Sequence, residues 1–153
     1  MSSRAGRSGF TLIEVLVVCV ILGGLALIGT VGFRNFVEHA RLESATHALY
    51  TALSDARSAA LSAERGEQYG VAIEPGRFIR FRGGEYDPAD SQNQVTEFAG
   101  ITATAELEGG ATTVVFEKRT GRAAQSGVIT LVQDATNAST TLTIAPSGVV
   151  SPE

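Results

Sequence analysis

The hydrophobic residues of this chain follow three patterns in succession. A continuous apolar run, FTLIEVLVVCVILGGLALIGTVGF, occupies residues 10–33 and contains one carboxylate, Glu14. Residues 34–66 place apolar side chains three and four positions apart, which is the spacing of one helix face. From residue 67 apolar and polar residues tend to alternate with a period of two, as in half-buried strands. The sequence therefore predicts a long helix followed by a sheet.

The first part of the predicted helix is long enough to cross a bilayer. Residues 15–33 carry no formal charge, and a helix of that length spans roughly 28 Å, about the thickness of a hydrocarbon core. Arg4 and Arg7 precede it without an accompanying acid, a bias that keeps the N-terminus in the cytoplasm. We predict a single-pass transmembrane half over residues 10–33, with the C-terminal part on the opposite side of the membrane.

Two simpler interpretations of this segment fit less well. A secretory signal has an apolar region of about 7 to 15 residues that ends in a small-residue cleavage site, whereas here the run is longer and continues into an amphipathic helix. A plain membrane anchor does not explain Glu14. A carboxylate at the bilayer centre costs on the order of 2.5 to 3.5 kcal/mol, and less near the edge. Glu14 is therefore expected to have a partner.

The second half of the helix, residues 34–66, is predicted to be amphipathic and to pack on the sheet. Its apolar stripe consists of Leu42, Ala45, Leu49, Ala52, Ala56, Ala59 and Ala63. Most of these side chains are small, which allows close packing against a sheet. No proline interrupts the chain before Pro75, and Gly66 is the predicted C-terminal glycine of the helix.

Residues 67–153 are predicted to form one antiparallel β domain. The predicted strands cover residues 68–74, 77–82, 101–108, 112–118, 127–133 and 141–144. Glu74, Pro75, Gly76 and Arg77 fit a type II turn, with proline second and glycine third. The fold class is therefore α+β. In the polar segment 83–94, Asp87 and Asp90 are interpreted as turn formers, with calcium binding as the alternative.

Composition narrows the range of functions. The formal net charge is -4, which argues against nucleic acid as a partner. A phosphate-binding surface would have to use Arg77, Arg80 and Arg82 in one strand with Lys118, Arg119 and Arg122 near a turn. The single cysteine, Cys19, excludes an intrachain disulfide. His39 and His47 have no further ligand at metal spacing. We expect no metal, no cofactor and no enzymatic activity.

The N-terminal residues carry a resemblance to a known superfamily. The charged leader MSSRAGRSG, ending in Gly9, and the following FTLIE resemble the processing site of type IV pilins and type II secretion pseudopilins. The resemblance implies that a prepilin peptidase cuts between Gly9 and Phe10 and that the same enzyme N-methylates Phe10. It also implies that Glu14 meets the N-terminal amine of a neighbouring subunit during assembly, which neutralises two charges that are costly in lipid.

Two later segments resemble the GspH/FimT family of minor subunits. They are LYTALSDARSAALSAERGEQYGVAIEP, and TTVVFEKRTGRAAQSGVITLVQ followed by TTLTIAPSGVV. The resemblance implies a pilin fold and partners among other major and minor pilins or pseudopilins, the prepilin peptidase and an inner-membrane assembly platform. It places residues 34–153 in the periplasm, anchored by a helix in membrane lipid, before the protein enters a pilus or pseudopilus.

Three functions remain open at this point. The first is a minor pseudopilin of a type II secretion system, which helps initiate or cap the pseudopilus that drives protein export. The second is a FimT-like minor type IV pilin that serves pilus assembly or DNA uptake. The third is a single-pass anchored binding module unrelated to pili. DNA-binding members of the family carry basic residues in the final hairpin, and this chain has no arginine after Arg122.

Overall fold

The computed structural model describes residues 10–152, and the side chains of residues 10–25 and 36–152. The predicted leader, residues 1–9, lies outside the described residues. The chain divides into two compact units, Met1–Val37 and Glu38–Glu153. Within the residues that the structure describes, no helix combines the length and the apolar character needed to cross a membrane.

One long helix, α1, extends over Leu12–Leu61. The regular helix ends at Leu61 rather than at the predicted Gly66, because the backbone turns left-handed twice after it. Ala63 has a φ of 49° and Arg65 a φ of 51°, and a 3-10 turn covers Glu64–Gly66. Alanine and arginine rarely adopt a left-handed backbone, and glycine is the residue that usually indicates one in a sequence. The sequence therefore does not indicate this end of the helix.

Eight strands form two antiparallel sheets of four. The strands are β1 (Tyr69–Glu74), β2 (Arg77–Arg82), β3 (Gln94–Glu97), β4 (Ile101–Leu107), β5 (Thr113–Phe116), β6 (Gly127–Gln133), β7 (Ser139–Ile144) and β8 (Val150–Pro152). The order is β3-β2-β1-β5 in one sheet and β4-β6-β7-β8 in the other. Gly76 has a φ of 76°, as the predicted type II turn requires. The structure confirms the predicted α+β class with an antiparallel β domain.

The main core of the second unit combines one face of α1 with residues of both sheets. Leu49 and Leu53 of the helix, and Phe116, Ile129 and Leu142 of the strands, have no exposed surface. Most of the predicted helical stripe is buried. The sequence pattern omitted Leu53 and Ala60, which are fully buried, whereas Ala52 is only partly covered. The buried face is thus wider than a single alternating stripe.

Arg57 joins the C-terminal part of α1 to two distant turns. Its Nε donates to the carbonyl oxygen of Gly121 at 3.2 Å, and its Nη2 donates to the carbonyl oxygen of Ser147 at 3.4 Å. A guanidinium can serve two acceptors at once because its donors are held in a planar fork. These turns also approach each other closely, since Gly148 lies against Gly121. Arg57 is therefore a staple between helix and turns.

Arg57→Ala is expected to lower the free energy of unfolding by about 2 kcal/mol, because two charge-assisted hydrogen bonds are lost. Urea unfolding of the detergent-solubilised chain, followed by circular dichroism, measures the change. Arg57→Lys is expected to recover less than half of the loss, since an ammonium lacks the fork. Arg41→Ala is the control, because the Arg41 side chain is mostly exposed and its ion pair with Glu38 lies within α1. Its loss is expected to cost under about 0.5 kcal/mol. Equal losses at both positions would show that the hydrogen bonds of Arg57 to the two turns do not stabilise the fold.

The polar segment 83–94 is anchored on the outer face of the first sheet. The ring of Tyr86 packs on Phe81 with a centroid distance of 5.4 Å, and its hydroxyl donates to Glu74 at 3.4 Å. Burial raises the pKa of the Tyr86 phenol, and the nearby Glu74 charge acts in the same direction. Asp87 and Asp90 each accept a hydrogen bond from the backbone two residues later. They therefore close turns, as the sequence interpretation favoured.

Candidate assembly site

The N-terminal end of α1 is built by a capping sequence, Thr11-Leu12-Ile13-Glu14. The helix begins at Leu12, so Thr11 is its N-cap residue and Glu14 occupies the third helical position. The backbone N–H of Glu14 donates to Thr11 Oγ1 at 3.4 Å and to the Thr11 carbonyl oxygen at 3.1 Å. Ser or Thr followed three residues later by Glu or Gln is the capping-box pattern. The helix therefore has a defined start directly after Phe10.

The charge of Glu14 lies in the first turn of α1. The unsatisfied N–H groups at that end carry a partial positive charge, which favours a carboxylate by about 0.3 to 1 kcal/mol. Glu14 therefore also has a structural role at the start of its own helix, which the sequence interpretation overlooked although the Thr-x-x-Glu pattern is present.

The side chains around Glu14 are apolar and exposed. Phe10 is 83% exposed and Leu12 is 85% exposed. Exposure is also high for Ile13, Val15, Leu16, Val17, Val18, Val20, Ile21, Leu22 and Leu25. A contiguous apolar surface of this kind marks a site for lipid or for another protein. In the isolated chain, Glu14 is thus a single acid within an exposed apolar helix surface.

The predicted site residues lie at one end of the first unit where the structure describes them. Phe10 immediately precedes the cap, and Glu14 follows one helical turn later. Gly9, the predicted cleavage residue, lies outside the described residues. The roles in cleavage, methylation and subunit assembly stay predictions. The structure shows that α1 begins at Leu12, two residues after the predicted mature N-terminus at Phe10.

The second unit contains the other sequence candidates. His39 and His47 line an open groove of about 630 Å³ together with Glu43, Tyr50 and Leu142. Over the described part of the chain, no group of three or more His, Cys, Asp or Glu side chains is placed to hold a metal ion. Cys19 is a free, exposed thiol.

The six basic residues considered for a phosphate-binding surface make different contacts in the structure. Arg77 pairs with Glu74 at 2.6 Å, and the Glu74 hydrogen bond raises the pKa of the Arg77 guanidinium. Lys118 donates to the carbonyl oxygen of Gly66. Arg80 and Arg82 instead line a cavity with Arg65, a residue that the sequence interpretation did not include.

Known proteins resemble this chain both in its N-terminal sequence and in its fold. Residues 4–30 match the prokaryotic N-terminal methylation motif. The type IV minor pilin FimU of Pseudomonas aeruginosa is similar in structure, with a TM-score of 0.58 and 20% identity over 77% of this chain and 92% of that one. Among curated protein sequences, none matches significantly.

A second solved structure has a similar fold. It is the minor pseudopilin EpsH from the type 2 secretion system of Vibrio cholerae, with a TM-score of 0.57 and 15% identity over 74% of this chain and 96% of that one. At this level of identity, both structures show the fold, and the fold is that of a pilin. Together with the N-terminal methylation motif, this fold supports the resemblance to type IV pilins and pseudopilins.

Proposed function

We propose that this chain is a minor pseudopilin of a type II secretion system, a structural subunit that helps to initiate or cap the pseudopilus. The observation that carries the proposal is the start of α1, where an exposed Phe10 and an exposed Glu14 flank the N-cap within the methylation motif. A filament subunit needs an N-terminus of this kind, since its amine and one acid must reach neighbouring chains. The role is structural and not enzymatic.

Anchoring in the inner membrane is part of the proposal. It rests on the apolar sequence of residues 10–33 and on the positive leader. The exposed apolar side chains of residues 10–25 support it, because lipid or other helices would cover them. The globular unit then lies in the periplasm, and the chain moves from the membrane into the filament during assembly.

A FimT-like minor type IV pilin is the second candidate function. The similarity to FimU supports it as strongly as the similarity to EpsH supports the first, because the two TM-scores and identities are close. Crosslinking the chain in native membranes and identifying its neighbours distinguishes the two systems. Neighbouring pseudopilins and a loss of exported protein on deletion support secretion, whereas pilus subunits and a loss of pili support the alternative.

Processing provides the direct test of the shared part of the proposal. The chain purified from membranes is expected to begin at Phe10 and to carry one methyl group on its amine, as measured by mass spectrometry of the intact protein. Gly9→Val is the matched variant, and it is expected to retain all nine leader residues because a bulkier side chain replaces glycine at the cut. An unprocessed wild-type chain, or one trimmed elsewhere, would support the unrelated anchored binding module instead.

A further inference from the structure

Three arginines converge on one small cavity in the second unit. The cavity has a volume of about 170 Å³ and is lined by Glu64, Arg65, Tyr69, Arg80, Phe81, Arg82, Gln92 and Gln94. A water molecule occupies about 30 Å³ in the liquid, so the cavity has room for an ion of several heavy atoms. It is lined by residues of the second unit and by none of the residues of the proposed assembly role.

Separate elements bring the three side chains together. Arg80 and Arg82 are two residues apart on β2, and side chains at that spacing project from the same face of a strand. Arg65 comes from the 3-10 turn after α1, where its backbone is left-handed with a φ of 51°. Its Nη1 donates to Gln92 Oε1 at 3.4 Å, a bond that joins the turn to the segment before β3.

The charge at the cavity is opposite to that of the whole protein. Three arginines and one acid, Glu64, are among the residues that line the cavity, while the chain has a formal net charge of -4. Arg80 also approaches Asp55 at 3.7 Å, a long and partly exposed ion pair that is expected to be weak. The lining positive charge is therefore only partly compensated, which favours an anionic ligand.

We propose that this cavity binds a small phosphorylated anion, of the size of pyrophosphate or a phosphomonoester. Guanidinium groups recognise phosphate through paired N–H donors, and several converging arginines suit a multiply charged group better than a single carboxylate. Arg65 and Arg82 provide the principal contacts, and Arg80 is shared with Asp55. The amide of Gln94 adds a neutral donor to the lining.

The test is calorimetric titration of the full chain in a neutral detergent with sodium pyrophosphate at low, constant ionic strength. The wild type is expected to release heat on saturable binding, and Arg82→Gln to bind about tenfold more weakly. Arg65→Asn is expected to weaken binding similarly, and asparagine tolerates the left-handed backbone at that position. Arg122→Gln removes the same charge from an exposed residue outside the cavity and is the matched control.

Circular dichroism and thermal unfolding establish that each variant is folded before it is titrated. Absence of binding by the folded wild type, or equal weakening in Arg122→Gln and Arg82→Gln, would overturn the proposal. A short single-stranded oligonucleotide is the competing ligand. If the oligonucleotide displaces pyrophosphate at equal or lower concentration, the cavity binds a nucleic-acid backbone and the small-anion assignment is wrong. Failure to displace supports the small anion.

Discussion

Glu14→Val is expected to leave the chain processed and anchored but to exclude it from the assembled filament. The carboxylate is the one acid in the apolar run of residues 10–33, and in the proposed mechanism it accepts the N-terminal amine of a neighbouring subunit. Removing it leaves that amine buried without a partner, a loss on the order of 3 to 5 kcal/mol. Co-purification of other pilin-type subunits from crosslinked membranes measures the effect, which is expected to exceed tenfold.

The capping box at the helix start requires a sharper control, because Glu14 also stabilises its own helix. Glu14→Gln keeps a capping-box residue but removes the charge, whereas Glu14→Asp keeps the charge on a shorter side chain. If pairing with an amine is the role, Gln fails like Val and Asp retains part of the assembly. If capping alone matters, Gln assembles like the wild type, and that result would refute the proposed pairing.

Gly148→Ala is expected to destabilise the globular unit by at least about 3 kcal/mol. Gly148 has a φ of 79°, which costs a residue with a side chain about 1 to 2 kcal/mol. A Cβ there would also overlap the carbonyl oxygen of Gly121 and lie 3.0 Å from Arg57 Nε. The neighbouring atom is backbone and cannot swing away, so the substitution separates the two turns that Arg57 joins.

Thermal unfolding of the detergent-solubilised chain checks this prediction, with an expected fall in Tm of more than about 10 °C. Gly109→Ala is the matched control, because Gly109 has a φ of 76° and its Cβ would meet nothing within 4 Å. That variant carries the backbone strain without the overlap, and is expected to lose only about 1 kcal/mol. Similar losses in both variants would show that the contact between the turns contributes nothing.

Hydropathy patterns were sufficient for the larger elements of the fold. The predicted strands 77–82 and 127–133 have the bounds of β2 and β6, because each has apolar residues on at least one buried face. The same patterns missed β3 and β8, which lie at sheet edges and have only four and three residues. All four residues of β3 are exposed, so burial left no signal in its sequence.

Some residues of the candidate sites could also be predicted from the sequence, and others could not. Phe10 and Glu14 could be proposed from the sequence because they lie four positions apart in one motif, and their roles stay predictions. The capping-box pattern is equally local in the sequence. Arg65 could not be assigned to the cavity from the sequence, since its position depends on the left-handed backbone of Ala63 and of Arg65 itself. The partners of Arg57 are backbone carbonyl oxygens, and a sequence does not indicate which carbonyl groups a distant arginine will meet.

The staple formed by Arg57 also determines when the globular unit can finish folding. Its two acceptors lie 64 and 90 residues further along the chain, so the helix emerges from the ribosome long before either turn exists. Such non-local closure is slow, and it leaves apolar surface uncovered while the rest of the chain is being made. The helix is therefore made first but gains its bonds to the two turns last, and the globular unit is exposed to aggregation until the turn at Ser147 has been made.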